Sequence, residues 1–223
     1  MSLNLLMLGP PGAGKGTQAE RFARSRGIPK ISTGDILREA VHAGTDIGLR
    51  AKVVMDRGEL VGDDVMIGIV RERLERPDAV GGFVLDGFPR TVAQASALDG
   101  IMTGRDALIV LDIVVPEAEL VRRLGTRLIC DDCGTGGSVG SVAGAACVKC
   151  GGRLVQRADD NQSIVIERLK VYHRQSEPLV EYYRVRPTFR SIDGAQAPDR
   201  VAADLVAAIE AAGNGAARRG AQG

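Results

Sequence analysis

Apolar and polar positions along the chain alternate between two rhythms. Residues 3 to 8 form a short apolar run that stops at a glycine loop, as a buried parallel strand does. Lys15 to Arg26 then spaces Ala19, Phe22 and Ala23 at helical intervals. The same pair of signals returns downstream. Gly82-Phe83-Val84-Leu85-Asp86 reads as a strand closed by Gly87 and Pro89. Ala107 to Val115 reads as another, closed by Pro116, which suits the first turn of a helix over Glu117 to Leu128. Asn161 to Arg184 predicts a long amphipathic helix with a break near Pro178. Thr188 to Ile192 predicts a late strand, and Pro198 to Ala212 a last helix. Strands alternating with helices at this spacing predict an α/β fold, a parallel sheet with helices on both faces.

Two stretches break the rhythm. Ser32 to Val61 is helical and polar, with few strand candidates, and Cys130 to Gly152 is rich in glycine and carries all the cysteines without a helical period. Both read as inserts on the core. Gly213 to Gly223, rich in Gly, Ala and Arg, reads as a flexible tail.

Composition narrows the function. Lys plus Arg number 29 against 28 Asp plus Glu, a net charge of +1 that argues against a dedicated binder of nucleic acid or anionic membranes. Aromatics make up 3% and Trp is absent, which disfavours base stacking on exposed rings. The apolar run at the N-terminus is too short for a signal segment or a membrane span, so an intracellular protein is expected. The four cysteines form two tight pairs, Cys130/Cys133 and Cys147/Cys150, thirteen residues apart. Four thiolates so spaced fit tetrahedral zinc, with paired disulfides or inert thiols as alternatives. Asp131 and Asp132 inside the first knuckle argue against a nucleic-acid-binding ribbon.

The segment Gly9-Pro10-Pro11-Gly12-Ala13-Gly14-Lys15-Gly16-Thr17 lies between a predicted strand and a predicted helix, the context a phosphate-binding loop requires. Its glycines let backbone N–H groups turn inward, the helix start adds partial positive charge, and Lys15 can reach β- and γ-phosphates. The hydroxyl residue that usually follows the lysine and binds Mg²⁺ is replaced by Gly16, with Thr17 one place later. Magnesium is therefore expected to be held mainly by phosphates and water, with Asp86 at a strand end orienting that water or simply capping a turn. Arginines recur at loops and helix ends: Arg38, Arg90, Arg123 and Arg127 four apart on one helix, Arg157 before Asp159-Asp160, and Arg168. Any one of them could be a solvated surface residue. As a set they suit two polyphosphates meeting head to head.

Four segments carry a family resemblance: Gly9 to Thr17, Ile31-Ser32-Thr33-Gly34-Asp35, Leu85-Asp86-Gly87-Phe88-Pro89-Arg90-Thr91, and Gln156-Arg157-Ala158-Asp159-Asp160-Asn161. In order and spacing, from about residue 3 to 212, the chain closely resembles the adenylate kinases of the long bacterial type with a metal-bearing lid. The resemblance implies reversible phosphoryl transfer from ATP to AMP giving two ADP, with Mg²⁺, in the balance of adenine nucleotides. It implies a P-loop core over 1–31, 62–126 and 161–212, an AMP-binding insert over 32–61, a zinc-bearing lid over 127–160 and a tail over 213–223. It places Gly12, Ala13, Gly14, Lys15, Gly16, Thr17, Arg123, Arg127 and the backbone near Gln196 on ATP. Thr33, Arg38, Glu59, Leu60, Val61, Gly87, Arg90, Gln94, Arg157 and Arg168 fall to AMP, with the Gln94 amide on the adenine edge and Arg90 on the phosphate. Arg123, Arg127, Arg157 and Arg168 converge on the transferring group. Asp159 and Asp160 lock the lid or, alternatively, cap a helix start. Structural zinc on Cys130, Cys133, Cys147 and Cys150, a cytoplasmic location, ATP, AMP and ADP as partners, and a monomer without nucleic acid or membrane complete the expectation.

Residues 134 to 146 lack the aromatic, His and Pro residues usual in such a lid, so no nucleotide contact is carried over to them. Two other readings stand beside this one. The chain could be a kinase of the same architecture for UMP, CMP or GMP, or a P-loop switch whose lid binds a partner. The second would leave Arg38, Arg90, Arg157 and Arg168 without a task.

Overall fold

The computed structural model describes residues 2–137 and 140–220, with the backbone alone at Ala158 and at 214–220. Ser138 and Val139 of the expected lid and the last three residues of the expected tail lie outside it. The order along the chain is β1 (Leu3–Leu8), α1 (Lys15–Arg26), β2 (Lys30–Ser32), α2 (Thr33–His42), α3 (Asp46–Met55), α4 (Asp63–Leu74), β3 (Gly82–Asp86), α5 (Val92–Ile101) and β4 (Leu108–Val114). It continues with α6 (Glu117–Gly125), β5 (Leu128–Cys130), β6 (Leu154–Gln156), α7 (Gln162–Val171), a π-helical turn (Tyr172–Ser176), α8 (Pro178–Arg184), β7 (Phe189–Asp193) and α9 (Pro198–Gly220).

Five strands pair in parallel in the order β2-β3-β1-β4-β7, with Leu6 opposite Leu85 on one side and Val110 on the other. Alternation along a strand sends successive side chains to opposite faces, and here it builds two cores on one sheet. Leu5 and Met7 pack with Ala19 and Phe22 of α1, Leu120 and Leu124 of α6, and Leu205 and Ile209 of α9. Leu6 and Leu8 pack with Val70 and Leu74 of α4, Leu98 of α5, and Leu179 and Tyr183 of α8. The chain leaves β1 toward β2 and leaves β4 toward β7. The C-terminal ends of β1 and β4 therefore flank a topological switch point, where open α/β sheets bind ligands.

The structure adds four features to the sequence reading. β2 is a three-residue edge strand that begins directly after Pro29, too short to show a period. α6 stops at Gly125, short of Leu128, because Leu128–Cys130 pairs antiparallel with Leu154–Gln156. The long helix is interrupted just before Pro178, where the Glu177 N–H reaches back to the Tyr172 carbonyl at 2.9 Å. The last helix continues past Ala212 to Gly220, into the segment expected as a tail, although that stretch includes Gly213, Gly215 and Gly220. No described helix is long and apolar enough to cross a membrane.

Candidate active site

The loop between β1 and α1 is shaped by close approach. Gly9, at φ +132°, lies so near β4 that a Cβ would meet the Ile113 carbonyl oxygen at 2.5 Å. Gly14 precedes α1 with no side-chain cap, so the first N–H groups of that helix face the loop. Lys15 folds back over the loop, donating from Nζ to the carbonyls of Gly9 at 2.7 Å and Pro10 at 2.8 Å. Withdrawal of its ammonium from water pushes the pKa down to about 8, against the pull of Asp86. Gly16 stands against that carboxylate, since a Cβ there would sit 3.2 Å from Asp86 Oδ2. Position 16 therefore faces an acidic group from the end of β3. Ala13 is buried beside the loop and Thr17 is exposed in the first turn of α1.

Next to the loop, beyond Asp86, opens a cleft lined by residues of α2, the 58–61 segment and the loop after β3. One wall is the start of α2, with Thr33 and Arg38. The Thr33 hydroxyl donates to the Gly87 carbonyl at 2.8 Å, and Arg90 Nε donates to the same oxygen at 2.8 Å. Asp35 holds Arg38 from three residues away and pairs with Lys30 at 3.2 Å. Burial raises the Asp35 pKa, but Arg38 and Lys30 overcome it and bring it to about 2. Glu59, Leu60 and Val61 form a second wall, and Gly87, Arg90 and Gln94 the floor. Gln94 is 2% exposed. Its Oε1 accepts from the Arg90 N–H at 2.8 Å, and its Nε2 donates to Asp63 Oδ1 at 2.7 Å.

Asp159 and Arg168 close the far side of the cleft. Asp160, with a fully buried side chain, accepts two bonds from Arg127 at 2.5 and 2.6 Å and one from Arg168 at 2.9 Å. Arg168 also meets Asp159 at 3.0 Å. Arg157 Nε is buried without a hydrogen-bond partner, although Asp159 lies 3.4 Å away. Burial and then the charges of Arg127 and Arg38 push the Arg157 pKa down to about 10. Water displaced by neighbouring protein and then the Arg168 charge bring Arg90, itself an exposed residue, to about 10 as well. Arg90 and Arg157 both stay cationic near neutrality. They crowd one region where further positive charge is disfavoured and an anion is welcome.

Two expected residues stand apart from this cluster. Arg123 bonds Glu119 at 2.7 Å and the Gly194 carbonyl at 2.9 Å. Gln196 bonds the Asp193 carbonyl at 3.1 Å and Asp204 at 2.9 Å. Arg123 thus joins the β7–α9 loop, where Gln196 lies, and not the group formed by Arg127, Arg157 and Arg168. Sequence reasoning missed the anchors Asp35, Asp63 and Glu119. Asp35 and Glu119 sit three or four positions from the arginines they hold, a helical spacing that can be read. Asp63 is 31 residues from Gln94, and nothing local marks it.

The four cysteine sulfurs all lie within 4.8 Å of one another. The Cys130–Cys150 and Cys133–Cys147 separations are 3.4 and 3.8 Å, and the thiols are unbonded. Zinc with four sulfurs at about 2.3 Å places those sulfurs about 3.8 Å apart, so the cluster is compatible with zinc.

A phosphate loop at a switch point, facing an arginine-lined cleft across one acidic strand end, defines a P-loop nucleotide phosphotransferase. The sequence profile of the adenylate kinase family matches residues 7–188. The chain is 49% identical over 216 residues to the adenylate kinase of Archaeoglobus fulgidus, covering 93% of this chain and 98% of that one. It is 46% identical over 213 residues to the adenylate kinase of Rhizobium etli strain CFN 42, covering 93% and 99%. A third similarity, 49% over 215 residues, is to the adenylate kinase of Desulfitobacterium hafniense strain DCB-2. The chain belongs to the adenylate kinase family. It is an enzyme, a nucleoside monophosphate kinase, and its reaction is phosphoryl transfer between ATP and AMP to give two ADP.

Proposed function

We propose that the loop around Lys15 holds the ATP phosphates while the cleft of Thr33, Arg38, Arg90 and Gln94 holds AMP, with the arginines of α7 and the β6–α7 turn between them. One observation carries this reading: Asp86 stands against Gly16 of the phosphate loop, and the carbonyl of the next residue, Gly87, accepts from Thr33 and Arg90 in the cleft, so the loop and the cleft meet at one strand end. Phosphoryl transfer asks for alignment and charge neutralisation rather than a covalent nucleophile. Arg90, held by the Gly87 carbonyl, fixes the acceptor phosphate. Arg157, whose buried Nε lacks a partner, and Arg168 take the oxygens of the transferring group. Phosphate oxygens offset the cost of that orphaned N–H, about 1–3 kcal/mol. Asp159 and Asp160 hold these arginines in place. Arg123 and the Gln196 loop serve the ATP base side.

Residues 32–61 act as the AMP-binding insert and 127–160 as the lid on a core of 1–31, 62–126 and 161–212, and their closure excludes water. Asp86 beside the phosphate loop fits a hydrated Mg²⁺ that arrives with ATP and supplies charge neutralisation there. Zinc on the four cysteines holds the lid together, and its closed sulfur shell leaves no place for substrate. Unbonded thiols and the absence of a membrane-crossing helix among the described residues support work in the cytoplasm. The testing experiment is a coupled assay of ADP formation from ATP with AMP, GMP, CMP or UMP. AMP should lead by a wide margin, and equal rates with another monophosphate would contradict the assignment of the acceptor site.

A further inference from the structure

A glutamine amide reads a base only once its orientation is fixed. Adenine presents an N1 acceptor beside an N6 donor, and hypoxanthine presents an N1–H donor beside an O6 acceptor. Rotating the amide by 180° exchanges its oxygen and its NH₂, so an unrestrained Gln94 would match either base. In this structure both ends are held. Oε1 accepts from the Arg90 backbone N–H, which can only donate, and Nε2 donates to the Asp63 carboxylate, which can only accept. A flip would lose both bonds and set donor against donor and acceptor against acceptor. The Asp63 carboxylate is itself fixed. Its second oxygen accepts from the Thr91 hydroxyl at 2.9 Å, and Thr91 in turn caps α5 by accepting the Gln94 N–H at 3.2 Å. Asp63 is the first residue of α4, so this chain of bonds clips α4 to α5 across the floor of the cleft.

We infer that Asp63 is a specificity-determining positioning residue for the acceptor base. Its carboxylate keeps the Gln94 amide in the orientation that leaves one N–H for adenine N1 and one lone pair for the N6 amine. It thereby rejects 6-oxopurine monophosphates. The inference rests on the proposed role of Gln94 at the AMP base. The test compares kcat/KM for AMP and for inosine monophosphate, with ATP, in the parent, Asp63→Ala, Asp63→Asn and Gln94→Leu. Asp63→Ala should lower the AMP preference by roughly tenfold or more, the scale of one hydrogen bond to a charged group. Asp63→Asn, whose amide can face Gln94 with either end, should lower it partly through a gain with inosine monophosphate. A purely structural role for Asp63 would weaken both monophosphates together, and a misfolded fraction cancels in the ratio. A ratio unchanged within about twofold in both Asp63 variants, in a protein whose Gln94→Leu form loses the preference, overturns the lock while keeping Gln94 as the reader. A ratio unchanged in Gln94→Leu as well removes Gln94 from the base and the lock with it.

Discussion

Lys15 sits between opposing influences. The loop carbonyls and Asp86 favour its charge, while burial and three arginines oppose it and leave the pKa at about 8. A pKa below the ordinary lysine value means that the free protein loses this proton as pH rises through about 8. A bound triphosphate favours the charged form, so ATP binding near pH 9 should take up close to one proton per site, and almost none at pH 7. Calorimetry in buffers of different ionisation enthalpy measures this, and Lys15→Met should abolish the uptake. Lys15→Ala should also lower kcat roughly 10²–10³-fold, the usual cost of removing one preorganised electrostatic group. Arg90→Ala should raise the KM for AMP roughly 10–100-fold, as for a lost hydrogen bond to a charged group, with a much smaller change for ATP. Equal changes for both substrates would move Arg90 out of the acceptor site. Lys15, Arg38 and Arg90 were legible because each lies in a short motif. Asp63 was not, since its partners Thr91 and Gln94 are brought to it only by the packing of α4 against α5.

Among the elements, the cysteine segment has the least to hold it together. β5 and β6 pair over three residues each, and the apolar cluster beneath them is Cys130, Cys147 and Leu154, with Leu128, Cys133 and Ala145 beside it. Two of the three buried members are metal-ligand candidates, so the fold of this segment depends on what the sulfurs hold. Cys147→Ser should lose stoichiometric zinc and expose residues 127–160 to proteolysis, while the five-stranded sheet keeps its melting transition and the kinase rate falls through poor closure. Bound zinc per chain, limited proteolysis and thermal unfolding check this, and unchanged metal content would contradict it. Elements with a complete local signal, such as α1 and β3, were readable to the residue. Their apolar spacing and closing glycines act within a few positions. β2 and the β5–β6 pair escaped because strands of three residues are defined by their partners, Val84 to Asp86 in one case and each other in the second.

On the scale of the molecule, one sheet carries two cores and gathers the loop around Lys15 and the arginine-lined cleft at its C-terminal edge. β1 and β4 bring the phosphate loop to the switch point, β3 supplies Asp86 and the loop carrying Arg90, and α7 supplies Arg168. The α/β class was legible from alternating periods. The strand order was not, because it is set by which helices cover which face: α1, α6 and α9 on one side, α4, α5 and α8 on the other. In the proposed reaction two nucleotides meet head to head and exchange a phosphoryl group with water excluded. The most direct measurement supplies the enzyme with ADP and Mg²⁺ alone and follows the products by phosphorus NMR. ATP and AMP should appear in equal amounts, without orthophosphate, and both should form roughly 10²–10³-fold more slowly in Lys15→Ala. Inert ADP, or orthophosphate released in place of ATP, would contradict the account.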